Sequence, residues 1–503
     1  MAAGVAAVLF ASTASAAPGA GAPGIGDSYY PLDGNGGYDV AHYDIRISYN
    51  PSVDLVSGTT TISATATQDL SQFNLDFLLQ VKSVRVNNAA ASFRSTSDGE
   101  LIVTPARALP RGSNLTIVVA YNDVPSNPDY KLYGFNDWIR TPDGALATNE
   151  PQIAPWWYPS NDHPTDKATF DVSVAVPSDA EVLSNGVLTS KQVQGNGFVR
   201  WNWRSLKPQN TYATFMAVGQ FDDMRIQTAP NGMPFISAYN NDLGENADAA
   251  RASVERTPEI IEFESGLFGE YPFEAMGGVV AGNATMGFAL ENQTRPVYDG
   301  RFFRRGSNTY VVAHENAHQW FGDSVSVHGW TDIWLNEGFA TYAESLWSDN
   351  LGEGTPAEVN QFKYDSVPAD SPFWQVVPAN PGPANQFNIA IYDRGSMTLQ
   401  ALRTAVGDDA FFQILRTWVA THRYGNGSIP QFIALAESIY GHPLGELFNI
   451  WLFTPSKPAT GPNELVGSVA AFSATSHSVA EPKSFQKIEE THQLLGAPKM
   501  AHN

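Results

Sequence analysis

The hydrophobic period of this chain changes near residue 222, and this change constrains the fold more than any other feature of the sequence. Upstream, apolar residues alternate with polar ones: Tyr43, Ile45 and Ile47 are separated by Asp44 and Arg46. Such alternation is typical of strands that bury one face. The sequence therefore predicts that its first part is an all-β domain, a sandwich with a saddle-like extended sheet.

Downstream of this point the apolar residues recur at helical spacing. Helices are predicted over 396–406, ended by Gly407, and over 430–440, ended by Gly441. The chain is thus predicted to be a multidomain α+β protein in which a mainly helical domain follows the β domain. The predicted segments are a signal peptide over 1–16, a linker over 17–27, the β domain over 28–222, the helical domain over 223–456, and an unassigned tail over 457–503 in which only a short helix near 485–495 is indicated.

Composition excludes several classes of function. The 503-residue chain carries a formal net charge of −22, which repels nucleic acids and anionic membrane surfaces, so no nucleic-acid partner is expected. The chain contains no cysteine, which rules out disulfides, thiolate ligands and cysteine nucleophiles. Any metal site must therefore be built from His, Asp and Glu.

The first residues carry an export pattern. A short apolar run leads to Ala14, Ser15 and Ala16, a small-x-small sequence suited to signal-peptide cleavage before Ala17. No Lys or Arg precedes Arg46, so the usual basic start is missing. No other apolar run approaches the roughly 20 residues that span a bilayer. We predict a secreted, extracellular protein without membrane insertion, and a monomer is favoured over an oligomer.

The motif VVAHENAHQWFG carries the central chemical signal. His314 and His318 are four residues apart on a predicted helix, so both project from one face and can share a metal ion. Glu315 lies beside the first of them, where it can take a proton from a metal-activated water. The same spacing also arises by chance on helices that merely display polar residues, so the surrounding sequence must decide.

A third ligand is predicted at Glu337. Eighteen residues lie between His318 and Glu337. A second helix that returns after a turn containing Gly322 and Gly329 can bring this carboxylate to the two imidazoles. Two His and one Glu leave the fourth position of a tetrahedral ion open, which is typical of catalytic zinc. The alternative is a solvated carboxylate favoured by a helix start, but the spacing from the histidine pair favours a ligand.

These residues, together with the stretch WLNEGFA, resemble the aminopeptidase N family of zinc metallopeptidases, which are gluzincins. The resemblance implies a thermolysin-like catalytic domain over 223–456 that binds one Zn²⁺ through His314, His318 and Glu337, with Glu315 as general base. The chain is similar to a short, bacterial-type secreted member that lacks the large C-terminal helical domain.

The segment MGFALEN resembles the Gly-Ala-Met-Glu-Asn strand of that family, with Phe288 and Leu290 replacing its Gly and Met. The resemblance implies that Glu291 binds the free amino group of the substrate. It also implies that Ala289 and Asn292 contribute to substrate binding along the strand.

Two further segments resemble the family. TNEPQ implies that Glu150 reaches the active site from the β domain and shares the substrate ammonium group with the strand glutamate. IYDRGS, with Arg394 where the family has Lys, implies that Tyr392 donates a hydrogen bond to the oxyanion formed during hydrolysis.

The resemblance implies a zinc aminopeptidase that hydrolyses the first peptide bond of peptides with a free amino terminus. Three alternatives remain open on the sequence: an epoxide hydrolase on the same scaffold, an endopeptidase, and a catalytically silent peptide-binding protein. An intact Glu315 and three metal ligands argue against the silent protein, and the amine-binding acids argue against the endopeptidase.

Overall fold

The structure is a computed structural model. The predicted signal peptide over 1–16 lies outside the described residues, as does part of the predicted tail. The residues described are 17–127, 137–221, 223–283, 285–465 and 479–495.

The first part of the chain is built from strands, as the period-two pattern predicts. In the strand that holds the alternating segment, Tyr43, Ile45 and Ile47 are buried whereas Asp44 and Arg46 are exposed. The strands are β1 (Gly19–Ala20), β2 (Tyr38–Asn50), β3 (Leu55–Ala66), β4 (Leu70–Asp76), β5 (Val81–Val86), β6 (Ala89–Ala90), β7 (Ser92–Ser95), β8 (Glu100–Thr104), β9 (Asn114–Asp123), β10 (Trp138–Arg140), β11 (Ala145–Ala147), β12 (Ala168–Pro177), β13 (Glu181–Ser184), β14 (Val187–Val193), β15 (Phe198–Gln209) and β16 (Met216–Gly219).

These strands form three sheets. The largest has the order β14-β15-β12-β2-β3-β9-β5-β6, and two four-stranded sheets have the orders β1-β4-β8-β7 and β10-β11-β16-β13. In the large sheet β2 runs antiparallel to β3 but parallel to β12, so that Ile45 is in register with Val172. The segment 17–27, predicted as a linker, is held against the β domain by pairing of β1 with β4.

The second part combines a smaller sheet with helices, and the predicted α+β architecture is confirmed. Its strands are β17 (Asp223–Thr228), β18 (Pro234–Tyr239), β19 (Met276–Val280), β20 (Ala289–Leu290), β21 (Val297–Tyr298), β22 (Val325–Val327) and β23 (Gly425–Gly427). Its helices are α1 (Ala247–Val254), α2 (Thr257–Phe268), α3 (Thr309–Ala317), α4 (Trp334–Asn350), α5 (Pro356–Ser366), α6 (Ile389–Val406), α7 (Asp408–His422), α8 (Ile429–Tyr440), α9 (Gly445–Phe448) and α10 (Phe485–Leu495).

The five-stranded sheet β17-β18-β19-β21-β20 joins the two parts of the molecule. Ile236 and Val279 on its strands belong to the hydrophobic core of the β domain, whereas Phe235 and Val280 belong to the core of the helical part. A strand buried on both faces carries apolar residues at consecutive positions. This sheet therefore fixes the β domain relative to the helices, with β20 as one edge strand.

The helix predicted over 396–406 begins earlier than expected, at Ile389, where the Asn388 side chain caps it by accepting a hydrogen bond from the Ala390 N–H. Gly395 lies inside this helix, at the point where α6 contacts α4. A Cβ atom added to Gly395 would lie 2.8 Å from the Cα of Gly338. The two glycines let the helices meet backbone to backbone, which brings the functional residues of α4 and α6 together.

The helices predicted over 430–440 and near 485–495 are confirmed as α8 and α10. The domain bounds at residues 222 and 456 stay predictions. Within the part of the chain that the structure describes, no helix is long and apolar enough to cross a membrane.

Arg394, the residue before Gly395 on α6, connects this helix to an earlier and a later segment of the helical part, near residues 374–376 and 450–454. Its side chain is fully buried and donates hydrogen bonds to five backbone carbonyl groups. Burial lowers the pKa of Arg394 to about 10, so the guanidinium is still charged at neutral pH. The carbonyl groups belong to Trp374, Val376, Ile450, Trp451 and Thr454.

We expect Arg394→Ala to lower the free energy of unfolding by about 3 kcal/mol or more, since buried carbonyl groups would lose a charged donor. Urea unfolding followed by circular dichroism measures this change. Arg416→Ala is the matched control, because Arg416 is exposed on α7 and its removal should change stability by no more than about 0.5 kcal/mol. Equal effects of the two substitutions would contradict the role of Arg394.

Candidate active site

Three side chains from two helices converge on one point. Asn308 caps α3 by accepting hydrogen bonds from the N–H groups of its first turn, and α3 presents His314 and His318 on one face. Glu337 lies in the first turn of α4. Its Oε2 atom lies 3.4 Å from His314 Nε2 and 3.5 Å from His318 Nε2, and all three side chains are buried.

This triad fits a zinc ion. Ligand atoms about 2.0–2.1 Å from a tetrahedral ion lie about 3.4 Å from one another, which matches both spacings to Glu337. The other ring nitrogens are engaged: His314 Nδ1 lies 2.6 Å from Glu344 Oε1, and His318 Nδ1 lies 3.0 Å from the Phe321 carbonyl oxygen. Such partners fix the ring orientation and leave each Nε2 for the metal. The predicted set of ligands is therefore brought together.

Glu315 lies in the same cavity as the triad, as predicted for a general base. It is 1% exposed, and its Oε1 atom has no hydrogen-bond partner among the described residues. Burial raises the pKa of Glu315 to about 8, against the opposing effect of His314 and His318. In the ionised form of Glu315, this oxygen atom beside the metal ligands can accept a proton from water.

The predicted amine-binding acids also reach this cavity. Glu291 directly follows the edge strand β20, and its Oε1 atom accepts a hydrogen bond of 2.9 Å from the Tyr212 hydroxyl. Glu150 comes from the segment between β11 and β12 of the β domain and is 2% exposed. Both line the cavity, as does Ala289. The structure thus assembles the cleft from both parts of the molecule.

Asn292 was predicted to bind substrate, but the structure does not bring it to the cavity lining. Its side chain is fully buried, accepts a hydrogen bond of 2.7 Å from the Thr148 hydroxyl and donates one of 3.3 Å to the Ala213 carbonyl. Thr148 lies two residues before Glu150, and Asn292 directly follows Glu291. Asn292 therefore ties together the two segments that carry the acids.

Tyr392, the predicted oxyanion donor, lines the same cavity. Its ring stacks on that of His314 with 6.0 Å between centroids, and it is 4% exposed. Burial, reinforced by nearby carboxylates that include Glu337, raises the pKa of Tyr392 well above its usual value. The phenol is therefore neutral at physiological pH and can donate a hydrogen bond.

Some functional residues escaped the sequence analysis. Glu344 could have been found, because it lies seven residues after Glu337 and so shares its helix face. Phe387 and Leu495 also line the cavity, but no local pattern distinguishes them from core residues.

The cavity is strongly acidic. Four carboxylates line it, and none of the described residues in its lining is a lysine or arginine. Buried carboxylates require compensating positive charge, and a dication together with a substrate ammonium group supplies it. The carboxylates are Glu150, Glu291, Glu315 and Glu337.

This fold and this site together define the class of hydrolases in which two histidines and a glutamate hold one catalytic metal ion. More specifically, the chain belongs to peptidase family M1. The Peptidase M1 N-terminal domain matches residues 40–213, and the Peptidase family M1 domain matches residues 252–451.

Curated relatives agree with this assignment. Aminopeptidase M1 of Arabidopsis thaliana is 25% identical over 447 residues, which cover 81% of this chain and 49% of that protein. Glutamyl aminopeptidase of Rattus norvegicus is 24% identical over 451 residues, which cover 82% of this chain and 46% of that protein. The chain thus spans about half the length of the curated relatives it matches.

Solved structures match over their full length. An M1 zinc metallopeptidase from Deinococcus radiodurans is 28% identical with a TM-score of 0.77, and the match covers 88% of this chain and 100% of that one. A mutant of an M1 zinc metallopeptidase from the same organism, bound to a Tyr-Ser-Ala substrate, matches with a TM-score of 0.76 at 28% identity and the same coverage.

Proposed function

We propose that this chain is a zinc-dependent aminopeptidase that hydrolyses the first peptide bond of peptides with a free amino terminus. The observation that carries this proposal is the cluster of four buried carboxylates around two histidines in the cavity. Two of these acids exceed what one catalytic metal needs. A substrate ammonium group is the cation that fits them.

In this proposal Glu291 and Glu150 bind the ammonium group, which places the first carbonyl group of the peptide next to the histidine pair. When bound by His314, His318 and Glu337, zinc supplies Lewis-acid polarisation and makes water more acidic. The relatives named above support the assignment of zinc.

The remaining steps belong to the side chains around the reacting bond. Glu315 accepts the proton of the attacking water and passes it to the leaving amine. The Tyr392 hydroxyl donates a hydrogen bond to the carbonyl oxygen as negative charge develops there. An acetylated amino terminus would leave two buried carboxylates without their counter-charge, so blocked peptides should be rejected.

The test compares hydrolysis of aminoacyl-fluorophore and dipeptide substrates with free and acetylated amino groups. We expect only free-amine substrates to be cut, and we expect Glu291→Gln to lower kcat/KM by at least about 100-fold because a buried charged contact is lost. Glu262→Gln, which alters an exposed acid on α2, is the matched control and should leave kcat/KM unchanged.

Two outcomes would contradict the proposal. Internal cleavage of acetylated peptides at comparable rates would make the chain an endopeptidase. An absence of cleavage in protein that holds one zinc per chain would favour a different hydrolase on this scaffold, or a silent binding protein.

We also propose that the chain acts outside the cell as a monomer, after cleavage before Ala17. The small-x-small sequence of Ala14, Ser15 and Ala16 supports export and cleavage before Ala17. Amino-terminal sequencing of protein from the culture medium, with light scattering for its mass, tests both statements. A mature chain that retains residues 1–16 would contradict the first.

A further inference from the structure

One wall of the cavity comes from a helix outside both family domains. Helix α10 (Phe485–Leu495) follows residue 451, where the match to the Peptidase family M1 domain ends. Its last residue, Leu495, lines the cavity together with the metal triad and Tyr392, and only 8% of Leu495 is exposed. Leu495 thus adds to the apolar part of a lining that also carries four glutamates.

Buried polar contacts hold α10 in place. His492 is 2% exposed; its Nε2 lies 3.0 Å from Glu344 Oε1, and its Nδ1 lies 2.7 Å from Asp393 Oδ1. Burial opposes the charge, but the two carboxylates raise the pKa of His492 to about 10. The imidazolium therefore bridges α4 and α6 from α10.

Further contacts along α10 fix its direction. Asn308 Nδ2, at the start of the zinc-binding helix α3, donates to Thr491 Oγ1 at 2.9 Å. Lys363 pairs with Asp393 at 2.8 Å and also with Glu489. Contacts with Asn308 at the start of α3, with Lys363 of α5 and with Asp393 of α6 thus hold α10, and with it Leu495, against the catalytic helices.

The contacts also indicate which end of the cavity Leu495 bounds. It lies one helical turn after His492. His492 contacts Glu344, whose carboxylate also contacts His314 Nδ1. Glu291 lies at the other histidine, since ligand atoms of Glu291, Glu315 and His318 are all within 4.8 Å of one another. Leu495 is thus connected to His314 through α10 and Glu344, whereas Glu291 lies near His318.

If the amino group of a peptide lies at Glu291 and its first carbonyl group at the histidine pair, the next residue extends past His318 toward the His314 side, which α10 approaches. We propose that Leu495 is a specificity-determining residue for the second residue of the peptide, and that its apolar wall favours small side chains there over large aromatic ones. This inference rests on the proposed aminopeptidase function, because that function sets the direction of the peptide.

The experiment measures kcat/KM for Ala-Ala-Ala-amide and Ala-Trp-Ala-amide with the full chain. We expect Leu495→Ala to raise the ratio of Trp to Ala at the second position by about tenfold, because truncation opens the wall. The ratio between two substrates does not depend on the fraction of folded enzyme, so partial unfolding cannot imitate the effect. A second pair of peptides that vary the first residue should keep its ratio unchanged.

Leu494→Ala is the matched control, since Leu494 is partly buried on the same helix but does not line the cavity. A Leu495→Ala ratio within twofold of the wild-type ratio, or an equal change in Leu494→Ala, would overturn the inference. If the wild-type chain cuts neither peptide, the proposed function fails instead. The Kd values of the two peptides, measured by calorimetry in wild type and Leu495→Ala, then decide the role of Leu495 separately.

Discussion

Glu315→Gln is expected to lower kcat by about 1000-fold and to leave the fold and the metal content unchanged. The substitution keeps the size of the side chain but removes the proton acceptor, and general bases contribute about 10²–10⁴-fold to rate. Glu315 is suited to this role because it is buried in the cavity, and its Oε1 atom has no hydrogen-bond partner among the described residues. None of the described residues therefore places a competing donor on that oxygen atom.

Three measurements isolate the chemical step. Steady-state kinetics on a free-amine substrate give kcat, elemental analysis gives the zinc content, and calorimetry gives the Kd of a peptide. We expect only kcat to change in Glu315→Gln, whereas the exposed control Glu262→Gln should match wild type in all three. A Glu315→Gln variant that retains more than a tenth of the wild-type kcat would show that another group accepts the proton.

The sequence predicted best what depends on local spacing. His314 and His318 converge because four residues make one helical turn, and the buried alternation of β2 follows directly from its apolar pattern. The third residue of the triad, Glu337, lies on a second helix after a turn. Its spacing along the sequence from the histidine pair was nevertheless enough to predict that it joins them.

What the sequence could not predict depends on contacts between distant segments. The start of α6 was missed because Gly395 disfavours a helix locally, whereas its contact with Gly338 outweighs that preference. The order of strands around β2 also depends on tertiary packing. Leu495 is an ordinary apolar residue on a short helix, and only its position in the folded chain places it in the cavity.

Asn292 illustrates the same limit at the level of a single side chain. A motif identifies the residue type that a position requires but not which neighbour that residue serves. Its amide bonds with Thr148 and Ala213, so it connects the segments that carry Glu150 and Glu291. A residue next to an acid of the cavity lining can thus support the site from behind and not line it.

His318→Ala is expected to lower the zinc content from one ion per chain to near zero and to lower kcat/KM by at least about 1000-fold. Two remaining ligands cannot complete the three-ligand arrangement of a catalytic site. The substitution also leaves Glu337 with one imidazole neighbour in place of two. Because the pKa of Glu337 is held at about 2 against burial by both histidines, this buried carboxylate would lose part of its compensation.

Thermal unfolding separates loss of metal from loss of fold. Zinc added to chelator-treated wild-type protein should raise Tm, because a ligand that binds only the folded state stabilises it, by about 4 kcal/mol at a thousandfold excess over Kd. His318→Ala should lack this shift. His328→Ala, which removes an exposed histidine ten residues away, should retain both the shift and the activity. A zinc-dependent rise in Tm of the wild-type size that persists in His318→Ala would show that His318 is not a ligand of the ion.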